Sequence, residues 1–370
     1  MELKDVPKMP SVVIQKGNGP ISFIEGIKSN TFQKLDSILS DSYTAAFLII
    51  RNDSIIYEKY FDDFDKKSLL PSFSVSKSFV GTLVGIAVQE EKISVNDPIT
   101  KFIPELKKKD SNFEKISIQQ LLDMRSGIQF FEGSYDLKDE SIKLAFKKNI
   151  EKQIQKLKIE KPAGGDFNYQ SINTLLLAIA LERATGKSIS QYLSEKIWVP
   201  VGMEFDATWT VDSKKHLQEI AYAGINATAR DYAKLGQLYL MKGFINNHSI
   251  LSKDWVQTTT SADTMQKYDG YKNQFWGVSR YIIFRDSLQA VQYKLEKKSS
   301  NPIRFYINSK KEKAFFITYS SPEFYAQGIL GEFVYVHPSK NLIIVRLGHY
   351  WKSKAFPDAI NLLKSLADEL

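Results

Sequence analysis

The placement of the strand-like segments most constrains the fold. "TAAFLIIRNDSIIYEKYF" (44–61) reads as two strands joined at "RND". Comparable segments return only near the other end, as "KAFFITYS" (313–320), "GEFVYVHP" (331–338) and "NLIIVRLGHY" (341–350). Between them, from about 90 to 250, helical spacing dominates. Helices are expected over 30–41, about 74–90 and 136–161, as a pair through "YQSINTLLLAIALERATGKSISQYLSEKIWVPVG", and in the terminal "PDAINLLKSLADEL". Strands at both ends with helices between predict one sheet built from both termini, and hairpin-like connections favour antiparallel pairing. The expected class is α/β (α+β). A sheet domain would comprise 1–90 and 255–370, with an inserted mostly helical subdomain at 91–254. The basic, aromatic segment 281–318 would be an elaboration near the cleft, either extra strands or a flap.

Composition removes several function classes. There is no cysteine, so disulfides, thiolate chemistry and cysteine metal sites are excluded. Fifty Lys and Arg against 42 Asp and Glu give a formal charge of +8, dispersed along the chain without a nucleic-acid recognition motif. His216, His248, His337 and His349 show no metal-ligand spacing, and no apolar run of 18 residues predicts a span. No cofactor and no metal are expected. "MELKDVPKMP" lacks the apolar core of a signal peptide. An exported or cell-envelope location, its signal removed, is the leading expectation and the cytoplasm the alternative. Monomer and homodimer both stay open.

Chemistry concentrates in "PSFSVSKSFVG" (71–81), where four serines and a lysine precede the apolar run "FVGTLVGIAV". Ser74 lies three residues before Lys77, so on a helix the two share a face. Ser76 and Ser78 point elsewhere, and Ser72 lies before the helix. A serine hydroxyl needs a base to become a useful nucleophile, and a lysine becomes one when burial lowers its pKa. A helix start also offers a backbone N–H to an oxyanion. Alone, S-x-x-K is a weak motif that a cap plus an amphipathic lysine also produces.

Five stretches in order strengthen it: "FSVSKSFVGTLVGIAVQEEKISVNDPITKFIPEL", "ISIQQLLDMRSGIQFFEGSY", "PAGGDFNYQSINTLLLAIALERATGKSISQYL", "YAGINATARDYAKLGQLYLMKGFINNHSILS" and "YAQGILGEFVYVHPSKNLIIVRLG". Together they resemble the serine beta-lactamase-like superfamily of penicillin-binding proteins and class C-type hydrolases, with the nearest likeness to the 6-aminohexanoate-dimer hydrolase branch. The resemblance spans about 30–280 and 318–368. It implies a beta-lactamase/transpeptidase-like fold and a Ser-Lys-Tyr hydrolase. Ser74 matches the acylated serine, Lys77 its lysine and Tyr169 the second-motif tyrosine, whose phenolate Lys77 would stabilise. The backbone N–H groups of Ser74 and Ile329 would form the oxyanion hole. Tyr135 and Trp276 match residues over the pocket, although a rim aromatic and plain core packing explain them equally. Asn226 would reach the cleft or cap the next helix.

Two departures narrow the reading. The third-motif strand carries "YAQG" in place of a cation and a threonine, and the second motif ends in Ser171 instead of asparagine. Both speak against penicillin recognition. The expected function is acyl-enzyme hydrolysis of a small ester, linear amide or peptide. A penicillin-recognising enzyme and a non-catalytic binding or scaffold protein are the competing readings.

Overall fold

The computed structural model describes residues 10–16, 24–25, 33–134, 136, 138–261, 270–297, 301–307, 311–352 and 358–370. A mainly antiparallel sheet of nine strands organises them. Strands β1 (Thr44–Arg51) and β2 (Ser54–Tyr60) come from one end of the chain. From the other end come β3 (Phe275–Phe284), β4 (Ile303–Ile307), β5 (Lys313–Gln327), β6 (Phe333–His337) and β7 (Leu342–Gly348). Strand β7 pairs with β1 in register from Leu342↔Arg51 to Gly348↔Thr44. The two halves therefore meet in mid-sheet, as the strand distribution predicts. Ile24–Glu25, parallel to the start of β2, and Tyr271–Lys272, against β3, complete the edges.

The side-chain alternation of β1 makes three layers. Phe47 and Ile49 face a core shared with Leu35 and Leu39 of α1 (Gln33–Asp41) and with Leu362, Leu363 and Leu366 of α6 (Ala359–Glu369). Ala46, Leu48 and Ile50 face the larger core, which contains α2 (Val75–Gln89), α3 (Ser171–Thr185) and α4 (Ala229–Leu240). Helix α2 is buried over Val75–Ala87 and apolar nearly all round, the pattern of a helix inside a core. Its glycines let neighbours come close. A Cβ on Gly81 would stand 2.5 Å from the Asn273 carbonyl oxygen, and one on Gly85 would stand 2.5 Å from the Trp255 ring.

Helix α4 belongs to the sheet layer, because Gly236 brings it directly against Val334, Val336 and Ile343. A second sheet joins Ser11–Ile14, Ala207–Thr210, Ile225–Ala227 and Leu70–Pro71, drawing its strands from across the expected 91–254 boundary. The lysine-rich helix expected over 136–161 is two short ones, Glu140–Ala145 and Ile150–Ile154, capped by Asp139 and Asn149. Segment 281–318 contains the end of β3, α5 (Ser287–Glu296), β4 and the start of β5. Its strands pair along 313–318, ten or more residues up β5 from Gly328. At ~3.3 Å per residue that is roughly 30 Å of strand. The segment continues the sheet past the strands that flank Ser74, with β4 as an added edge strand.

Candidate active site

The turn before α2 sorts the serines. Phe73 has φ +43°, a left-handed backbone that costs a bulky residue energy and is kept only where its surroundings enforce it. Ser72 and Ser76 hydroxyls bond each other at 2.6 Å, Ser76 Oγ accepts from Ile225 N–H at 3.1 Å, and Ser72 N–H donates to the Ile225 carbonyl at 2.8 Å. Ser78 Oγ donates to the Gln274 carbonyl at 2.7 Å. Those three pin the turn and helix to the Ile225 strand and to the turn that precedes β3. Ser74 sits at the N-cap without a capping bond, half-buried, and its Oγ accepts from Lys77 Nζ at 2.8 Å.

Lys77 is 1% exposed, and its Nζ also donates to the Tyr222 carbonyl at 3.2 Å. The amine stands 4.9 Å from the centre of the Tyr169 ring and 5.7 Å from that of Tyr222. Burial brings its pKa down to about 8, against the opposing pull of the Glu132 and Asp139 carboxylates.

Tyr169 closes the cluster through a hydrogen bond with Ser74. Burial pushes its phenol above the ordinary value, the Ser74 bond pulls it down and Glu132 pushes it up again. The expected phenolate is therefore disfavoured here, and Lys77 is the group poised to lose its proton. Tyr169 stacks on Trp276 with ring centroids 5.6 Å apart and planes 21° apart, while Phe167 and Tyr271 meet the same indole edge-on. Gln170, next in sequence, is buried and donates to the carbonyls of Ile128 and Phe130. That ties the Tyr169 segment to the loop bearing Glu132.

Ser171 is 2% exposed and turned toward Glu132, donating from both Oγ (2.7 Å) and its backbone N–H. Burial raises the Glu132 pKa, while Lys77 and Ser171 hold it down. Glu132, Asp139 and Tyr222 were not singled out from the sequence. Glu132 lies within "FFEGSY" beside the tyrosine that was, and Tyr222 opens "YAGINATARD"; neither stretch contains a spacing rule that would mark them.

The remaining expected residues lie around this centre. Gly328 packs against the Ser72 carbonyl oxygen, where a Cβ would come within 2.7 Å, so the next residue, Ile329, stands beside the α2 turn with its side chain 45% exposed. Asn226 instead bonds Thr208 Oγ1 and the Gly224 carbonyl, both at 3.2 Å, within the small sheet. Tyr135 lies outside the described residues. Behind the Gly328–Gly331 turn, Glu332 is fully buried; its Oε2 accepts from Leu330 N–H at 3.0 Å, and burial raises its pKa to about 8. Among the described residues no group of three or more His, Asp and Glu side chains is gathered as a metal ion would need, and no helix is long and apolar enough to cross a membrane.

The beta-lactamase family profile matches residues 35–367. A 6-aminohexanoate-dimer hydrolase from Paenarthrobacter ureafaciens is 31% identical over 255 residues, 65% of this chain and 64% of that protein. A teichoic acid D-alanine hydrolase from Staphylococcus aureus is 26% identical over 233 residues, 59% of this chain and 55% of that protein. The match thus spans between about half and two-thirds of these relatives' lengths. Among solved structures, a candidate 6-aminohexanoate-dimer hydrolase from Bacillus anthracis superposes with a TM-score of 0.74 at 24% identity, over 97% of this chain and 89% of that one. A class C beta-lactamase in complex with cefoxitin gives 0.59 at 16% identity, over 91% and 96%. At these identities the two structures establish a shared fold.

Proposed function

The chain belongs to the beta-lactamase family, and we propose that it is a serine hydrolase that forms an acyl-enzyme on Ser74 from a small ester, linear amide or peptide. The observation that carries this is the 2.8 Å contact between Ser74 Oγ and the buried Lys77 amine. With its pKa near 8, Lys77 is neutral in a useful fraction of molecules near neutrality and can accept the Ser74 proton. Ser74 Oγ then bonds to the substrate carbonyl carbon. The N–H groups of Ser74 and Ile329 take the oxyanion, a role that the approach of Gly328 to Ser72 supports. The proton passes from Lys77 through the Tyr169 hydroxyl to the leaving group as its bond to carbon breaks. Water reverses these steps, giving the acid and restoring Ser74.

The 6-aminohexanoate dimer, a linear amide, and D-alanyl esters are the first substrates to assay, alongside p-nitrophenyl esters. Ala326, Gln327 and Ser171 stand where penicillin-recognising relatives place a cation, a threonine and an asparagine, so no stable penicillin adduct is expected. A fluorophosphonate should add one equivalent to the wild-type chain and none to Ser74→Ala, read by intact mass. Equal labelling of both proteins, or of neither, would sink the proposal.

A further inference from the structure

Segment 281–318 concentrates two properties that the rest of the surface dilutes. It holds eight Lys and Arg against three Asp and Glu, and so carries +5 of the chain's formal +8 in about a tenth of its length. It also holds eight of the twenty large hydrophobic side chains left exposed among the described residues. On α5, Leu288, Val291 and Leu295 are 79%, 44% and 73% exposed. Their spacing places them on one face of the helix. The opposite face is what holds the helix down: Ala290 is buried, and the Tyr293 ring lies 5.4 Å from that of Phe284 on β3.

Register extends the surface. Phe284 pairs across with Phe315, and Phe315 with Phe305, so all three project from the side of the sheet that α5 covers. Two residues on, Ile307 projects the same way; Phe305 and Ile307 are 57% and 65% exposed. Basic groups border it: Lys313 Nζ stands 3.9 Å from the Phe305 ring centre, and Arg285 and Lys297 are exposed at the two ends of α5.

We propose that this face docks on an anionic lipid bilayer, with α5 lying in the membrane plane, its leucine stripe at the acyl boundary and the basic residues at the headgroups. A second copy of the chain fits poorly, because two faces of the same strong positive charge would meet. A soluble polyanion would use the charge and leave the apolar stripe in water. The reading is independent of the hydrolase assignment, since the strands bearing this face pair ten or more residues along β5 from Gly328.

Co-sedimentation of the full chain with phosphatidylcholine vesicles, with and without phosphatidylglycerol, tests it. Binding is expected on the anionic vesicles only, weakening as salt rises. Leu288→Glu/Leu295→Glu and Lys294→Glu/Lys297→Glu should each lower partitioning ~10-fold or more. Tyr281→Ser, on the other side of the sheet, should leave it unchanged, and melting curves should show all variants folded. No binding to anionic vesicles, or equal binding to neutral ones, overturns the proposal. Lysine-dependent binding that survives the leucine changes overturns it in favour of a polyanion. A dimer broken by the leucine changes overturns it in favour of self-association.

Discussion

Ser171 spends both of its donors, Oγ and backbone N–H, on the carboxylate of Glu132. The residue that replaces the family's asparagine therefore faces a carboxylate, which in turn acts on Lys77. Ser171→Ala leaves Glu132 one hydrogen bond short in a buried setting, at a cost of about 1–3 kcal/mol. We expect lower stability and a several-fold lower kcat, with Ser171→Thr restoring both. Thermal melts and steady-state kinetics on one ester check this.

The pH profile should report Lys77. Its neutral form is the base, so kcat/KM should rise with pH through an apparent pKa near 8. The Glu132 carboxylate holds that pKa up, so Glu132→Gln should move the rising limb to lower pH. A limb that stays in place, or moves to higher pH, would contradict the assignment.

Tyr169 and Trp276 separate hydroxyl from ring. Tyr169→Phe keeps the stack and removes the proton relay, and should lower kcat by ~10²–10⁴. Trp276→Ala keeps the hydroxyl and removes the 5.6 Å stack that orients it, with an expected loss of ~10-fold. Trp276→Phe should recover most of that loss in kcat.

Gly81→Ala tests how closely α2 is packed. The new methyl would meet the Asn273 carbonyl at 2.5 Å, a backbone atom with little freedom to move. We expect a loss of about 1–3 kcal/mol in unfolding free energy by denaturant titration. Ser261→Ala, at an exposed site, is the control and should change little.

Glu332 gives the fold a pH dependence of its own. Its folded pKa, about 8, lies above the ordinary carboxyl value of 4.5 because of burial, with Arg346 opposing. A raised folded pKa means stability that is complete below 4.5 and is lost as pH rises through 8. The neutral isostere Glu332→Gln should therefore melt increasingly above wild type between pH 5 and 8, by about 1–3 °C at the upper end, as expected for about 1–2 kcal/mol in a chain of this length. A constant difference in melting temperature across that range would contradict this.

Much of this was legible in the sequence, and the reasons differ by residue. The strands at 44–61 and 313–350 were legible because period and composition agree, and their position at both ends implied one shared sheet; that β7 is the strand that pairs with β1 came only from the structure. The contact between Ser74 and Lys77 was legible because helical geometry separates the pair from Ser72, Ser76 and Ser78, and the five ordered stretches strengthened the choice. The roles of those other serines were not, since their partners, Ile225 and Gln274, lie about 150 and 200 residues away. Glu132 was hidden for the same reason: its partners, Ser171 and Lys77, meet it only after folding. That burial opposes a Tyr169 phenolate was not legible, because no local pattern encodes burial. That α4, inside the expected 91–254 region, packs on the sheet was not legible, since the fit depends on Gly236 meeting Val334, Val336 and Ile343 in space.

Strand β1 cannot find its neighbour β7 until nearly 300 further residues exist. At ribosomal speeds of ~5–20 residues per second, the wait is roughly 15–60 s. Ser74 is made about 250 residues before Gly328 and Ile329, which stand beside it. A nascent chain therefore holds a serine and a lysine with no strand to complete their pocket, while β1 and β2 expose an apolar edge. Such long-range closure makes for slow folding, and the site is completed only once the segment bearing Gly328 and Ile329 has been made.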